Sequence, residues 1–162
     1  MIPDTLTERA ATPDDAPAIA ALIRALSGPS LLSPDGAGAE KFFASVGEAA
    51  QRGYLADPRY DYRVLVDGDG RVVALGAVRD GRHLFHLFVE PAWQGRGLAR
   101  GLWQRLQAAA RTRGHPGAFT VNATLPALGV YRRFGFVESG DVQRVNGIAF
   151  QPMALALPES AP

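Results

Sequence analysis

Leu87-Phe88-Val89-Glu90-Pro91-Ala92-Trp93-Gln94-Gly95-Arg96-Gly97-Leu98-Ala99 joins an apolar run to an amphipathic one across a glycine-containing turn. His83 to Val89, before the turn, has the composition of a buried strand. Gly97 to Arg113, after it, carries Leu98, Leu102, Leu106 and Ala109 on one helical face. Arg100, Gln104, Gln107 and Arg111 lie on the other. A strand that turns into a helix presents unpaired N–H groups and the positive end of the helix dipole, which together form an anion site. Gly95 and Gly97 remove the Cβ atoms that would hold a phosphate away from the backbone. Arg96 and Arg100 add positive charge, so a pyrophosphate is the expected guest. A Walker A loop is excluded, because Lys41 is the only lysine of the chain. The dinucleotide fingerprint would require glycine where Arg100 stands, and a place after the first strand of the unit. Taken alone, a Gly-x-Gly at a helix start serves equally well as a packing device.

On the C-terminal side, Gly114-His115-Pro116-Gly117 stops the helix and Ala118 to Asn122 forms a short strand. Strand, helix, strand implies a parallel neighbour and a right-handed crossover. Thr124 caps a short helix through Arg133, with Pro126 in its first turn. Gly135-Phe136-Val137 begins another strand, Ile148 to Leu157 is the last, and a proline-containing tail follows. On the N-terminal side, Tyr62 to Val66, Val72 to Arg79 and His83 to Val89 are separated by Asp67-Gly68-Asp69-Gly70 and by Asp80-Gly81. Asp-Gly turns between apolar runs predict an antiparallel meander. Thr12-Pro13-Asp14-Asp15 opens a helix with Thr12 or Asp14 as cap, and Ile19, Leu22, Ile23 and Leu26 face inward. Ser27-Gly28-Pro29 ends it, and Ser30 to Gly38 is a loop. A second helix is predicted over Ala39 to Arg52, with Phe42, Phe43, Val46 and Ala50 inward. The expected architecture is α/β (α+β): a mixed sheet of six to seven strands with about four helices on both faces. It forms one domain over residues 1–162, with its core at about 7–157.

Composition narrows the function classes. The chain has no cysteine, which removes disulfides and thiolate chemistry. Its formal net charge is +1, and no basic stripe interleaved with aromatics occurs, so neither nucleic acid nor membrane is an expected partner. No apolar run approaches the roughly 20 residues of a membrane span. Met1 to Arg9 carries Asp4 and Glu8 and lacks the apolar stretch of a signal peptide, so a cytoplasmic location is expected. The preference for arginine over lysine fits an Ala- and Arg-rich, bacterial genome. No metal site is expected: the histidines are His83, His86 and His115, and strand alternation sends the first two to opposite faces. Trp93 and Trp103 are expected to pack.

Three stretches together carry a family resemblance. Gln94-Gly95-Arg96-Gly97-Leu98-Ala99 resembles the Gln/Arg-x-x-Gly-x-Gly/Ala signature of the GNAT acyltransferases. Val121-Asn122-Ala123-Thr124, then Ala127, then Tyr131-Arg132-Arg133-Phe134-Gly135-Phe136 resembles that family's second motif. Arg9-Ala10-Ala11-Thr12-Pro13-Asp14-Asp15 looks like its first strand and helix. The resemblance implies an N-acetyltransferase that moves an acetyl group from acetyl-CoA to a primary amine of a small molecule, by direct attack in a ternary complex. It also implies that the parallel strands four and five splay apart. The amides of Gln94, Gly95, Arg96, Gly97, Leu98 and Ala99, with Arg100 nearby, would hold the CoA pyrophosphate. The backbone of Phe88 and Val89 would bond the pantetheine arm, with Asn122 and Thr124 on its other side. Many members have asparagine where Thr124 stands. Arg132 and Arg133 would reach the 3′-phosphate or complement the helix end.

Tyr131 takes the position of the family's general acid, which protonates the departing thiolate. A Glu or His base often occurs at the offset of His83, and alternation groups His83 with Phe85, Leu87 and Val89. Glu90 is a further candidate, and some members rely on water. The acceptor would lie near Ser27 to Asp61 and Gly140 to Phe150. No acidic cluster occurs there, so a small, partly apolar amine or an amino-acid-like acceptor is expected rather than a polyamine. Two rivals stand beside this: an acetyltransferase acting on protein lysines or N-termini, and a non-catalytic acyl-CoA-binding sensor with no need of Tyr131 or His83. Members of the family often dimerise, so a homodimer is an open expectation.

Overall fold

The computed structural model describes residues 5–114 and 117–157. His115 and Pro116 of the predicted helix stop, the chain start and the tail from Pro158 lie outside the described residues. The strands are β1 (Thr7–Ala10), β2 (Tyr60–Val66), β3 (Val72–Arg79), β4 (His83–Val89), β5 (Ala118–Thr124), β6 (Val137–Glu138), β7 (Gln143–Val145) and β8 (Ile148–Ala156). The helices are α1 (Ala16–Leu26), α2 (Glu40–Val46), α3 (Glu48–Ala56), α4 (Leu98–Thr112) and α5 (Leu128–Arg133). One mixed sheet carries the strands in the order β1-β2-β3-β4-β5-β8-β6, and β7 also pairs with β8. β4 and β5 are parallel, joined by α4 as crossover; the other pairs described are antiparallel. The expected mixed α/β architecture is present, with the short strand β7 as an addition. No helix among the described residues is long and apolar enough to cross a membrane.

The meander turns as its sequence requires. Asp80 and Gly81 both take left-handed φ, 55° and 68°, the geometry of a tight hairpin between β3 and β4. On one face of the sheet, Leu98, Leu102, Trp103, Leu106 and Ala110 of α4 are buried. α4 lies close because Gly76 of β3 has no side chain: a Cβ there would stand 2.8 Å from Leu106 Cδ1. Trp103 packs edge-on against Phe119 with ring centroids 5.0 Å apart, as its expected packing role demands. On the other face, Ile19 and Ile23 of α1 and Val46 of α2 cover Val64 and Leu75.

The first helical region differs from its prediction at three points. Thr12 opens a 3-10 turn, Pro13–Asp15, and α1 begins after it at Ala16. The Asp15 carboxylate closes that turn, accepting the Thr12 N–H at 2.8 Å and two Arg9 bonds at 2.8 Å each. The predicted helix over Ala39 to Arg52 is two helices, because Gly47 takes an extended ψ of 174° between α2 and α3. The break resets the helical phase, so Gln51 rather than Ala50 becomes fully buried.

β4 carries a bulge that sequence alternation could not anticipate. Ala77 pairs with His86 but Val78 pairs with Leu84, which leaves Phe85 as an extra residue. Phe85 and His86 therefore both face α3, where Phe85 meets Tyr54 and Tyr60 and His86 meets Tyr62. His83 shares that face: its Nδ1 lies 2.8 Å from Thr120 Oγ1, on the side of β5 opposite the buried Phe119 and Val121. The predicted opposition of His83 and His86, and the grouping of His83 with Leu87 and Val89, are thus corrected.

Candidate active site

β4 and β5 pair through His83–Thr120 and Leu84–Val121 and then separate. A cavity of about 640 Å³ opens where they part. Its walls include Leu87, Phe88 and Val89 of β4, Thr124 at the end of β5, and Tyr131 of α5. At one end lie Gln94, Gly95, Gly97, Leu98, Ala99 and Arg100; at the other lie Leu26, Ser27, Pro29, Ser30 and Phe42. A second strand would normally cover the edge of β4 here. Its absence leaves backbone groups facing the cavity, and the register identifies them.

Glu90 N–H donates to Val73 O at 2.8 Å. In an antiparallel ladder every second pair exchanges hydrogen bonds, so the Phe88 backbone bonds Leu75 of β3. Leu87 and Val89 point their N–H and C=O groups the other way, into the split. Val89 O accepts from Gln94 Nε2 at 2.9 Å, which ties the glycine turn to the strand end.

The turn itself has the geometry of an anion cradle. Gly95 and Gly97 have φ of +78° and +77°, and no atom lies within 4 Å of where their Cβ atoms would be. Gly97 is the N-cap of α4, so the first amides of that helix open toward the cavity. Arg100 stacks over Phe134 at 5.2 Å, and Arg133 also lines the wall. These features fit a CoA pyrophosphate on the observation that glycines leave the amides accessible beside two guanidinium groups. Across the cavity, Tyr131 is buried against Phe134 and Phe136. Burial pushes its phenol well above the ordinary tyrosine range, so it stays protonated at neutral pH.

Residues 30–157 match the family model described as an acetyltransferase (GNAT) domain. The chain belongs to the GNAT family. It is an acetyl-CoA-dependent acetyltransferase domain. No curated protein matches its sequence. Solved structures share its fold at low identity. A GCN5-related N-acetyltransferase from Rhodopseudomonas palustris is 23% identical with a TM-score of 0.72, covering 97% of this chain and 99% of that one. The PaiA N-acetyltransferase of Thermoplasma acidophilum, solved with coenzyme A, is 11% identical with a TM-score of 0.70, covering 94% and 99%. The spermidine N-acetyltransferase SpeG of Vibrio cholerae is 20% identical with a TM-score of 0.63, covering 94% of each chain.

Within this GNAT cavity the residues predicted from sequence divide clearly. Phe88, Val89, Gln94, Gly95, Gly97, Leu98, Ala99, Arg100, Thr124 and Tyr131 line it. Arg96 stacks on Trp93 at 4.7 Å and bonds Ala92 O instead. Asn122 is exposed and off the wall. His83 sits at the closed end of the split, off the wall, with burial and nearby Arg79 lowering its pKa to about 4. Glu90 is ion-paired with Arg71 at 2.5 Å, and Arg132 with Glu138 at 2.5 Å. Sequence reasoning missed Leu87, whose role follows from ladder register, and Val130, which helical spacing places one residue from Tyr131. Gly140 to Phe150 contributes no wall residue. It props the wall: Leu31 bridges to Ile148, and Leu32 N–H donates to Gly147 O at 2.9 Å. Among the described residues, no three His, Asp or Glu side chains gather as metal ligands.

Proposed function

We propose that this GNAT domain transfers the acetyl group of acetyl-CoA to a primary amine of a small molecule, by direct attack in a ternary complex. The observation that carries the reading is one continuous cavity, from the glycine turn past Tyr131 to the α1–α2 loop. Both substrates then meet in one enclosure, as direct attack requires. The Gln94–Ala99 amides, Arg100 and Arg133 take the pyrophosphate, and the cavity-facing backbone groups of Leu87 with the Val89 N–H take the pantetheine arm. The amine nitrogen forms a bond to the acetyl carbon while the carbon–sulfur bond breaks. Tyr131 gives its proton to the leaving sulfur and regains one from water. The amine's own proton passes to water, because no carboxylate or imidazole stands on the described wall. A small acceptor is favoured over a protein by the α1–α2 loop, which the β7–β8 turn holds across the acceptor end.

Calorimetric titration with acetyl-CoA, followed by a thiol-release screen against amines, tests this reading. Binding with thiol release on small amines is the expected result. Binding without release on any amine would favour a sensor, and release only with peptides would favour a protein acceptor. His83→Ala should leave the pH–rate profile unchanged; loss of its lower limb would restore His83 as the base.

A further inference from the structure

The acceptor end of the cavity is chemically one-sided. Leu26, Pro29, Phe42 and Phe88 give it apolar surface. The Ser27 hydroxyl, at the C-terminal cap of α1, is committed to Ile23 O at 2.5 Å, which leaves Ser30 as the one polar side chain free of a described partner there. No carboxylate lines any part of the described wall, and its cations, Arg100 and Arg133, belong to the CoA end beside Phe134. The wall is also held in place. A Cβ on Gly147 would stand 2.7 Å from the Ala39 backbone, so the β7–β8 turn abuts the start of α2, the helix that carries Phe42. Phe42 is braced in turn by an edge-on contact with Phe43, centroids 5.3 Å apart.

A second ammonium, as in a polyamine, would find no carboxylate here. A carboxylate beside the amine, as in an amino acid, would find no cation on the described wall at this end. An unpaired charge drawn out of water is heavily penalised, whereas an aromatic or branched alkyl body covers Phe42 and Phe88 at a gain. Resting on the transferase reading above, we infer that the acceptor is a primary monoamine with an apolar body, of the arylalkylamine class, and that Phe42 is the contact that selects it. The amino-acid-like alternative is thereby dropped.

The test measures thiol release from acetyl-CoA with 2-phenylethylamine, phenylalanine and spermidine, which differ by one carboxylate or by added ammonium groups. The expected kcat/KM for 2-phenylethylamine exceeds the other two by about a hundredfold or more. Phe42→Ala should lower that value about tenfold with the KM for acetyl-CoA unchanged, and Phe42→Leu should recover most of it. Ser30→Asp, on the half-exposed loop, should shift the ratio toward spermidine. Equal or better turnover of phenylalanine or spermidine by the wild type would overturn the inference, as would a Phe42→Ala variant with unaltered selectivity. Acetyl-CoA binding with release on other amines alone would overturn it and leave the transferase reading standing. Absence of acetyl-CoA binding would overturn both.

Discussion

Tyr131 and Gln51 are both buried polar residues, and their surroundings assign them different work. Tyr131 lies on the cavity wall with its phenol held protonated by burial. Tyr131→Phe keeps the ring against Phe134 and Phe136 and removes the hydroxyl proposed as proton donor. Turnover should fall about 10²-fold or more with acetyl-CoA affinity unchanged, read by steady-state kinetics beside calorimetry. Gln51 lies off the wall, under the break between α2 and α3. Its Oε1 accepts from Tyr62 Oη, and its Nε2 reaches Val46 O at 3.3 Å and His86 Nε2 at 3.4 Å. Nε2 of His86 therefore accepts, the imidazole is neutral, and each member of the buried trio has a partner. Gln51→Leu fills the volume but leaves the Tyr62 hydroxyl and His86 Nε2 unpaired. We expect a loss of about 2–6 kcal/mol in urea unfolding, at about 1–3 kcal/mol for each stranded group; a change under about 1 kcal/mol would mean that water replaces the amide. The place of Tyr131 on the cavity wall was legible in the sequence because a motif surrounds it. Gln51 was not, because a glutamine on an amphipathic helix reads as solvent-facing until Gly47 shifts the phase.

At the scale of elements, legibility followed the length of the pattern. The Asp-Gly turns marked β2 to β4, and the repeat of Leu98, Leu102 and Leu106 marked α4. Two features escaped because a single residue made them: the break at Gly47 and the bulge at Phe85. The bulge moved His83 and His86 onto one face, and ladder register gave the Phe88 backbone to β3 and left Leu87 in its stead. The glycine turn stands where its sequence placed it, at the start of α4 and on the cavity wall, but the reason for its glycines needs refinement. With open space around the Gly97 Cβ position, a side chain meets no protein atom; the obstacle in the protein itself is the left-handed φ of +77°. A β-branched residue in that conformation costs about 1–2 kcal/mol or more, and its bulk would also stand between the amides and a phosphate. Gly97→Val should thus weaken acetyl-CoA binding by more than about tenfold, and Gly97→Ala by less, with little change in the packing of α4. Equal affinities for both variants and the wild type, by calorimetry, would remove the turn as the pyrophosphate seat.

For the molecule as a whole, pH dependence of stability follows from two histidines on one face of the sheet. Burial lowers His86 to about 3, and burial with the nearby Arg79 lowers His83 to about 4. In the unfolded chain both titrate near 6.5. Between about 6.5 and the folded values, the unfolded state binds more protons, so stability falls as pH falls. The contribution is complete above about pH 7 and is lost progressively down to about pH 3. Each histidine adds at most about 1.4 kcal/mol per pH unit, and the half-exposed His83 less because solvent screens it. Asp15 works in the same direction but lower: the Arg9 hydrogen bonds hold its carboxylate below the ordinary range, so its contribution is lost only below about pH 4. The urea midpoint should therefore be flat from about pH 7 to 8, descend through pH 6 and 5 with a slope between one and two protons, and keep descending below 4 as Asp15 takes over from the histidines. His86→Gln should remove close to one proton from the middle slope and leave the part of the descent that Asp15 contributes in place. A wild-type midpoint that stays level from pH 7 to 4.5 would mean that both imidazoles gain protons without leaving the folded sheet, and the neutral Gln51–His86–Tyr62 arrangement would have to be abandoned.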